Sequence, residues 1–241
     1  MSFASLCLAL IGLFSTSGTA LAGGPACQAA SAATLTPVIE LYTSEGCSSC
    51  PPADRWLSGL KQSAAKGAVV AQAFHVGYWD YIGWVDRFAS PAYTARQKQI
   101  ALRDGLSGIY TPQLVRNGRD SRDYLSPASA EAPQARIVMR RDADDTFEAS
   151  VEPTGADARW SAYWSVTEHG HSSKVRAGEN AGESLQHDFV VRQYVPAGDY
   201  RGPANLVLRA LPAQPQHPRQ VNLVVFDKAS GKPLQALSLG C

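Results

Sequence analysis

The rhythm of apolar positions changes near residue 135. Before it, short β-branched and aromatic runs alternate with segments patterned for helices. Val38-Ile39-Glu40-Leu41-Tyr42 reads as a strand. It leads through Thr43-Ser44-Glu45-Gly46 into a pair of cysteines. After Pro51-Pro52, residues Ala53 to Gln62 place Trp56, Leu57 and Leu60 on one helical face, and Gly67 supplies a stop. Ala68 to Val76 predicts a second, largely buried strand. Ser90-Pro91 opens another helix, with serine as N-cap and proline at the first helical position, running to about Leu102. Tyr110 to Val115 forms a strand led by Thr111-Pro112, and Asn117-Gly118 a hairpin turn.

Residues 121–135, rich in Ser, Ala and Pro, read as a linker or a weak helix. Beyond them the helical pattern stops. Ile137-Val138-Met139, Phe147 to Val151, Trp160 to Thr167, Phe189 to Val195, Leu206 to Leu211, Val221 to Phe226 and Leu234 to Leu239 are strand-like runs. Several alternate in period two, as Trp160, Ala162, Trp164 and Val166 do. This pattern predicts an all-β, sandwich-like C-terminal domain over 136–241, following an α/β domain over 38–135.

The chain has 241 residues and a formal net charge of +1, which gives no reason to expect nucleic acid or an anionic membrane as partner. The charge is unevenly spread: no Asp, Glu, Lys or Arg precedes Glu40. Phe3 to Phe14 is an apolar run, and Thr19-Ala20-Leu21-Ala22 ends it with a cleavage-site pattern. Residues 1–22 therefore read as a signal peptide and 23–37 as a flexible lead-in. The run is shorter than the roughly 20 apolar residues a membrane helix needs. The expectation is a periplasmic or secreted protein with no stable membrane span after cleavage.

Loss of the signal removes Cys7 and leaves Cys27, Cys47, Cys50 and Cys241. An even number in an exported protein suggests disulfides, with three possible connectivities. The two-residue spacer favours Cys47 with Cys50, which leaves Cys27 and Cys241 to bridge the ends of the mature chain.

Cys47-Ser48-Ser49-Cys50 stands between a strand and a helix. Thiol–disulfide exchange needs one thiolate to attack and a second thiol to resolve the mixed disulfide. A helix N-terminus lowers the pKa of a thiol there. By this logic Cys47 is the nucleophile and Cys50 the resolving residue. Prolines 51 and 52 are tolerable only in the first helical turn. In thioredoxin-like domains a proline, usually cis, faces such a pair just before a strand, and Thr111-Pro112 stands in that place. The N-terminal domain is thus expected to be thioredoxin-like. The alternatives are a structural disulfide or half of a zinc site, though no second CxxC or HxxxH accompanies the pair.

His75-Val76-Gly77-Tyr78-Trp79-Asp80-Tyr81-Ile82-Gly83-Trp84 follows the second strand, and ligands bind at such sheet edges. His75 is a candidate proton shuttle or metal ligand, or a satisfied core histidine. Trp79 and Trp84 are a candidate wall for an apolar partner, or interface packing. Tyr78, Asp80, Arg96 and Gln97 are further candidate neighbours of the site, and Asp80 and Asp86 read first as loop caps. Gly178-Glu179-Asn180-Ala181-Gly182 reads as a turn. His169, His171 and His187 lack clean metal spacing.

Glu40 to Asp54, with Cys47 and Cys50 inside it, resembles the signature of the DUF1223 family of secreted thioredoxin-like proteins of unknown function. His75 to Trp84, Arg96-Gln97 and Tyr110-Thr111-Pro112-Gln113 are similar to its further motifs. So are Gly178-Glu179-Asn180, His187-Asp188 and Val190-Val191-Arg192. One departure is Gly77, where an acidic residue is expected. The resemblance implies fold and export but no reaction.

Three functions remain open from the sequence. The first is a thiol–disulfide oxidoreductase in which Thr111-Pro112 orients the substrate backbone. It would act on a protein or small-molecule thiol or disulfide, with a separate redox partner and no cofactor. The second is a copper-binding protein or chaperone using Cys47, Cys50 and His75. The third is an interaction module in which the cysteine pair is a permanent staple.

Overall fold

The structure, a computed structural model, describes residues 27–125, 127–142 and 145–241. The expected signal peptide lies outside the described residues. In chain order the elements of the first half are β1 (Gln28–Ala30), β2 (Val38–Thr43), α1 (Pro51–Ser58), α2 (Lys61–Ala65), β3 (Val70–His75), α3 (Pro91–Arg103), β4 (Gln113–Arg116) and β5 (Arg119–Ser121). The second half contributes β6 (Ala135–Arg141), β7 (Thr146–Pro153), β8 (Arg159–Glu168), β9 (His171–Lys174), β10 (Ser184–His187), β11 (Val190–Arg201), β12 (Ala204–Arg209), β13 (Arg219–Phe226) and β14 (Pro233–Leu239).

These elements correct the expected fold class. The molecule is mostly β, and its N-terminal half is not an α/β thioredoxin-like domain. One eight-stranded sheet runs through both halves in the order β14-β13-β8-β11-β3-β2-β4-β5. The joint is a parallel pairing of β11 with β3, Val190 opposite Ala73. The physical reason lies in β3, whose outer edge the first half leaves unpaired. Buried backbone N–H and C=O groups need partners, and β11 supplies them. The sheet therefore continues past the division expected near residue 135. Part of the expected flexible lead-in is also a strand: β1 pairs with β6 in a second sheet, ordered β1-β6-β7-β12.

Strand β8 shows how the two sheets meet. Beyond its first residue it is buried on both faces. Trp160, Ala162, Trp164 and Val166 face the four-stranded sheet and pack with Ile137, Met139, Phe147, Val151, Leu206 and Leu208. Tyr163, on the other face, packs with Val38, Val70, Val224 and Ala236. The two sheets thus pack face to face through β8, and the larger of them is shared with the first half.

Within the first half, β2 and β3 run parallel and in register, ending with Thr43 beside His75. Ile39, Leu41, Ala71 and Ala73 pack against Ala53 and Leu57 of α1. Tyr42, Phe74 and Val76 pack on the opposite face with Tyr93 and Ile100 of α3. Strands β9 and β10 form a separate hairpin that packs against α1. Cys27 and Cys241 are joined in a disulfide that ties the two ends together.

Candidate functional site

The site is built where β2 gives way to α1. Pro51 and Pro52 open the helix, where absent N–H groups leave nothing unpaired. Cys50 is the N-cap residue, and its carbonyl accepts from the amides of Ala53 (2.9 Å) and Asp54 (3.1 Å). Cys47 sits in the turn just before, its amide donating to the Ser44 carbonyl at 3.1 Å. Cys47 and Cys50 form a disulfide. Both cysteines are buried, at 1% and 0% exposure, while Ser48 and Ser49 between them are exposed.

The segment that carries the two cysteines also carries Glu45 and Asp54, which belong to a cluster of buried ionisable groups. His75 donates from Nδ1 to Asp86 at 2.7 Å. The same Asp86 oxygen accepts from the Glu45 amide at 2.9 Å, and the other accepts from the Phe88 amide at 2.9 Å. Glu45 in turn accepts from Trp84 Nε1 at 2.8 Å and from His187 Nε2 at 3.1 Å. The two imidazoles meet edge to face, 5.0 Å between ring centres. Each has one nitrogen on a carboxylate and the other, His75 Nε2 or His187 Nδ1, buried without a partner. Asp54 completes the group, accepting from the Thr43 hydroxyl at 3.1 Å.

Burial and charge pull these groups apart. Burial pushes the Asp54 carboxyl above its usual range, and the charges of His75 and His187 only partly offset this. Burial acts likewise on Asp86, but the His75 charge and three hydrogen bonds outweigh it and hold that carboxyl low. Glu45 also ends below its ordinary value, since burial is outweighed chiefly by the His187 hydrogen bond. Burial disfavours the His75 imidazolium, yet Asp86, Asp54 and Glu45 together raise its pKa. The cluster thus holds one carboxyl biased towards its protonated form beside two that stay charged.

The aromatic loop ties the cysteine turn to Thr111-Pro112, whose peptide bond is cis. A Cβ on Gly46 would stand 2.9 Å from Trp79 Cβ, so only glycine permits this approach. Trp79 Nε1 donates to the Thr111 hydroxyl at 2.7 Å. Asp80 accepts from the Asp86 amide at 3.2 Å, which is a loop cap. Its carboxyl is raised by burial, with the nearby Asp86 charge adding to the rise. The Tyr78 hydroxyl is buried with no partner, and Tyr81 is 79% exposed.

Two expected neighbours have other duties. Arg96 lies on the α3 face of the sheet, away from the disulfide. It grips Glu40 with two hydrogen bonds, of 2.6 and 2.9 Å, and lies over the Tyr163 ring at 4.1 Å. Gln97 donates to the Tyr110 carbonyl and to Gln113, both at 2.8 Å, so it braces the segment on either side of Thr111-Pro112. As for the copper ligands considered above, the two sulfurs are bonded to each other and His75 Nδ1 is taken by Asp86. Among the described residues, no group of three His, Cys, Asp or Glu is arranged to hold a metal ion.

The sequence placed Glu45, Asp54, His187, Glu179 and Asn180 within family motifs but gave them no place in the site, and gave Asp86 only a capping role. Glu45 and Asp54 carried one usable signal: they are charged residues inside a segment otherwise patterned for burial. Glu179 and Asn180 belong to the 178–182 turn, which caps the cysteine turn from the second half. Asn180 donates to the carbonyls of Glu45 (2.8 Å) and Cys47 (3.0 Å), and Glu179 accepts from the Ser48 amide at 2.9 Å.

Comparison with known proteins places this architecture. A family model described as "Protein of unknown function (DUF1223)" matches residues 38–227. The crystal structure of protein AGR_C_4864 from Agrobacterium tumefaciens is similar, with 25% identity and a TM-score of 0.62, over 85% of this chain and 94% of that one. HBP35 of Porphyromonas gingivalis, at 12% identity and a TM-score of 0.57, shares the fold over 86% of this chain and 76% of its own. No functionally curated protein matches the chain.

Proposed function

The chain belongs to the DUF1223 family, whose function is unknown, and we propose on the strength of its own residues that it is an exported thiol–disulfide oxidoreductase acting through Cys47 and Cys50. The observation that carries this reading is the Cys47–Cys50 disulfide set directly before a helix, on a segment whose Glu45 and Asp54 belong to a buried cluster with His75, Asp86 and His187. A staple needs no titratable groups beside it. Perturbed carboxyls and imidazoles beside a redox-active bond are what proton-coupled exchange uses.

The reaction runs as follows in the direction that oxidises the protein. The Cys47 thiolate attacks one sulfur of a substrate disulfide, and the other substrate sulfur leaves as a thiolate. Cys50 then loses its proton and attacks Cys47 Sγ, re-forming the intramolecular bond and releasing the second substrate sulfur. Two electrons pass from the protein to the substrate, and a separate thiol-bearing partner returns them. Asp54 lies one helical turn after Cys50, where residues four apart share a face. Its raised pKa suits it to take the Cys50 proton. Thr111-Pro112, tied to the cysteine turn through Trp79, would hold the substrate backbone.

Export rests on the apolar run from Phe3 to Phe14 and on Ala20-Leu21-Ala22. The two disulfides are consistent with it, as bridges persist in oxidising compartments. Among the described residues no helix is long and apolar enough to cross a membrane.

The test is the reduction potential of Cys47–Cys50, by equilibration against glutathione with thiol-labelled mass analysis. Exchange catalysts lie at roughly −120 to −270 mV and inert bridges below about −300 mV. A value in the first window is expected, and one below the second limit would overturn the reading.

A further inference from the structure

We propose that Glu179, reaching across from the β9–β10 hairpin, is the residue that sets how readily Cys47 holds a negative charge. This rests on the exchange reading above and deepens it. The Glu179 carboxylate accepts from the amide of Ser48, the peptide immediately after Cys47, at 2.9 Å. Hydrogen bonds from the Ser48 amide and hydroxyl hold that carboxyl below its usual range, so it is charged at neutral pH.

Opening the disulfide takes two electrons from a substrate dithiol, whose own S–S bond forms as Cys47–Cys50 breaks. With one proton retained, it leaves a Cys47 thiolate and a Cys50 thiol. A thiolate at a turn leading into a helix is stabilised by nearby amide N–H groups. Here the first such donor is already occupied, and by an anion. The like charge disfavours the thiolate, raises the Cys47 pKa, and so favours the disulfide over the reduced form.

The placement is built rather than incidental. Asn180, the next residue, is buried and pins the same turn through the carbonyls of Glu45 and Cys47. Gly178, the residue before, has a φ of 76°, and a Cβ there would press on Ile82 at 3.0 Å. The chain on both sides of Glu179 is therefore fixed, Gly178 against the aromatic loop and Asn180 against the cysteine turn. The other charged or titratable groups of this region are Glu45, in the same turn, and Asp54, His75, Asp86 and His187, on neighbouring elements, and all are the same in the variants tested.

The experiment compares the wild-type protein with Glu179→Gln and Glu179→Ala, each chemically reduced, by titrating thiolate absorbance against pH. Glutamine keeps an acceptor for the Ser48 amide and removes only the charge. The expected result is an increase of about threefold in the acid dissociation constant of Cys47 in Glu179→Gln, the size one exposed charge delivers. At a pH where the reduced form is the thiolate, the same factor in the equilibrium with glutathione is a shift of about 14 mV towards oxidising, at 29.6 mV per tenfold. The difference should shrink in high salt, because an exposed charge is screened. Superimposable titrations for wild type and Glu179→Gln would overturn the proposal. So would a difference that salt does not touch, which would mark Glu179 as a structural tether. Exchange with glutathione is read separately: a wild-type protein that titrates as expected but does not exchange removes the oxidoreductase reading and leaves the Glu179 effect standing.

Discussion

The side-chain amide of Asn180 lies 3.0 Å from the carbonyl oxygen of Cys47, across a sequence separation of 133 residues. Its second bond goes to the Glu45 carbonyl, while the Cys47 carbonyl also accepts from the Cys50 amide within the turn, at 3.2 Å. The cysteine turn is thus held from above by the second half of the chain, while α1 and the ends of β2 and β3 hold it from below.

Asn180→Ala removes both bonds, which strands the Glu45 carbonyl and leaves Cys47 only its bond from the Cys50 amide. Groups stranded in this way cost about 1–3 kcal/mol. Urea unfolding of the oxidised protein should show a loss of that size. A reductant should also open Cys47–Cys50 faster in the variant, since the turn loses its cover. An unchanged midpoint would mean that water replaces the amide without penalty.

Asp54→Asn tests the buried carboxyl. Burial raises its folded-state pKa, so the native state binds its proton more tightly than the unfolded chain does. Its contribution is present below the unfolded value of about 3.9 and is lost as pH rises through the folded value. The asparagine variant, with no charge to bury, should therefore be more stable than wild type at neutral pH, with the advantage vanishing in acid. It should also slow resolution of a mixed disulfide on Cys47. Lower stability at neutral pH would show that the ionised carboxylate is the form the fold requires.

The His75 and Asp86 pair carries two opposite pH signatures. The His75 pKa is raised, so its stabilisation is complete below the unfolded value of about 6.5 and declines as pH rises through the folded one. The Asp86 pKa is lowered, so its stabilisation declines instead as pH falls through its folded value. Asp86→Asn should cost about 3–5 kcal/mol near neutrality, as breaking a buried ion pair does. It should also flatten the alkaline limb of the stability profile. An alkaline limb that keeps its wild-type slope would assign that limb to another group.

Replacing Cys27 and Cys241 together by serine opens a bridge spanning 214 residues. Loss of a native bridge typically costs 2–5 kcal/mol, roughly, with long loops at the upper end of the entropic model. Thermal unfolding should show the loss while the Cys47–Cys50 potential stays put. A shifted potential would reveal coupling between the two disulfides.

Much of the local structure was legible because it is written in local terms. Ser90-Pro91 marks the start of α3, and the Ser90 hydroxyl accepts from the Ala92 amide as a cap should. Asn117 and Gly118 both adopt positive φ in the β4–β5 hairpin, the conformation that pair of residues favours. The spacing of the cysteines led to both disulfides. What stayed hidden is what depends on distant partners. An apolar run such as Phe189 to Val195 announces a strand but not its neighbour, so the pairing of β11 with β3 could not be read, and the fold class went wrong there. His187 could not be joined to the site because Glu45, which it meets, lies 142 residues earlier. Arg96 seemed free for the site because its partner Glu40 sits on a strand whose outward face the sequence did not reveal.

The bridge between Cys27 and Cys241 makes the oxidised chain, from one cysteine to the other, a closed covalent ring. A protease that cuts any single exposed loop within that ring linearises it without releasing a fragment. The segments carrying Cys47 and Asn180 would stay on one molecule, and the cysteine turn would keep its cap through a first nick. In a compartment rich in proteases, two independent cuts become the minimum for losing a piece of the ring.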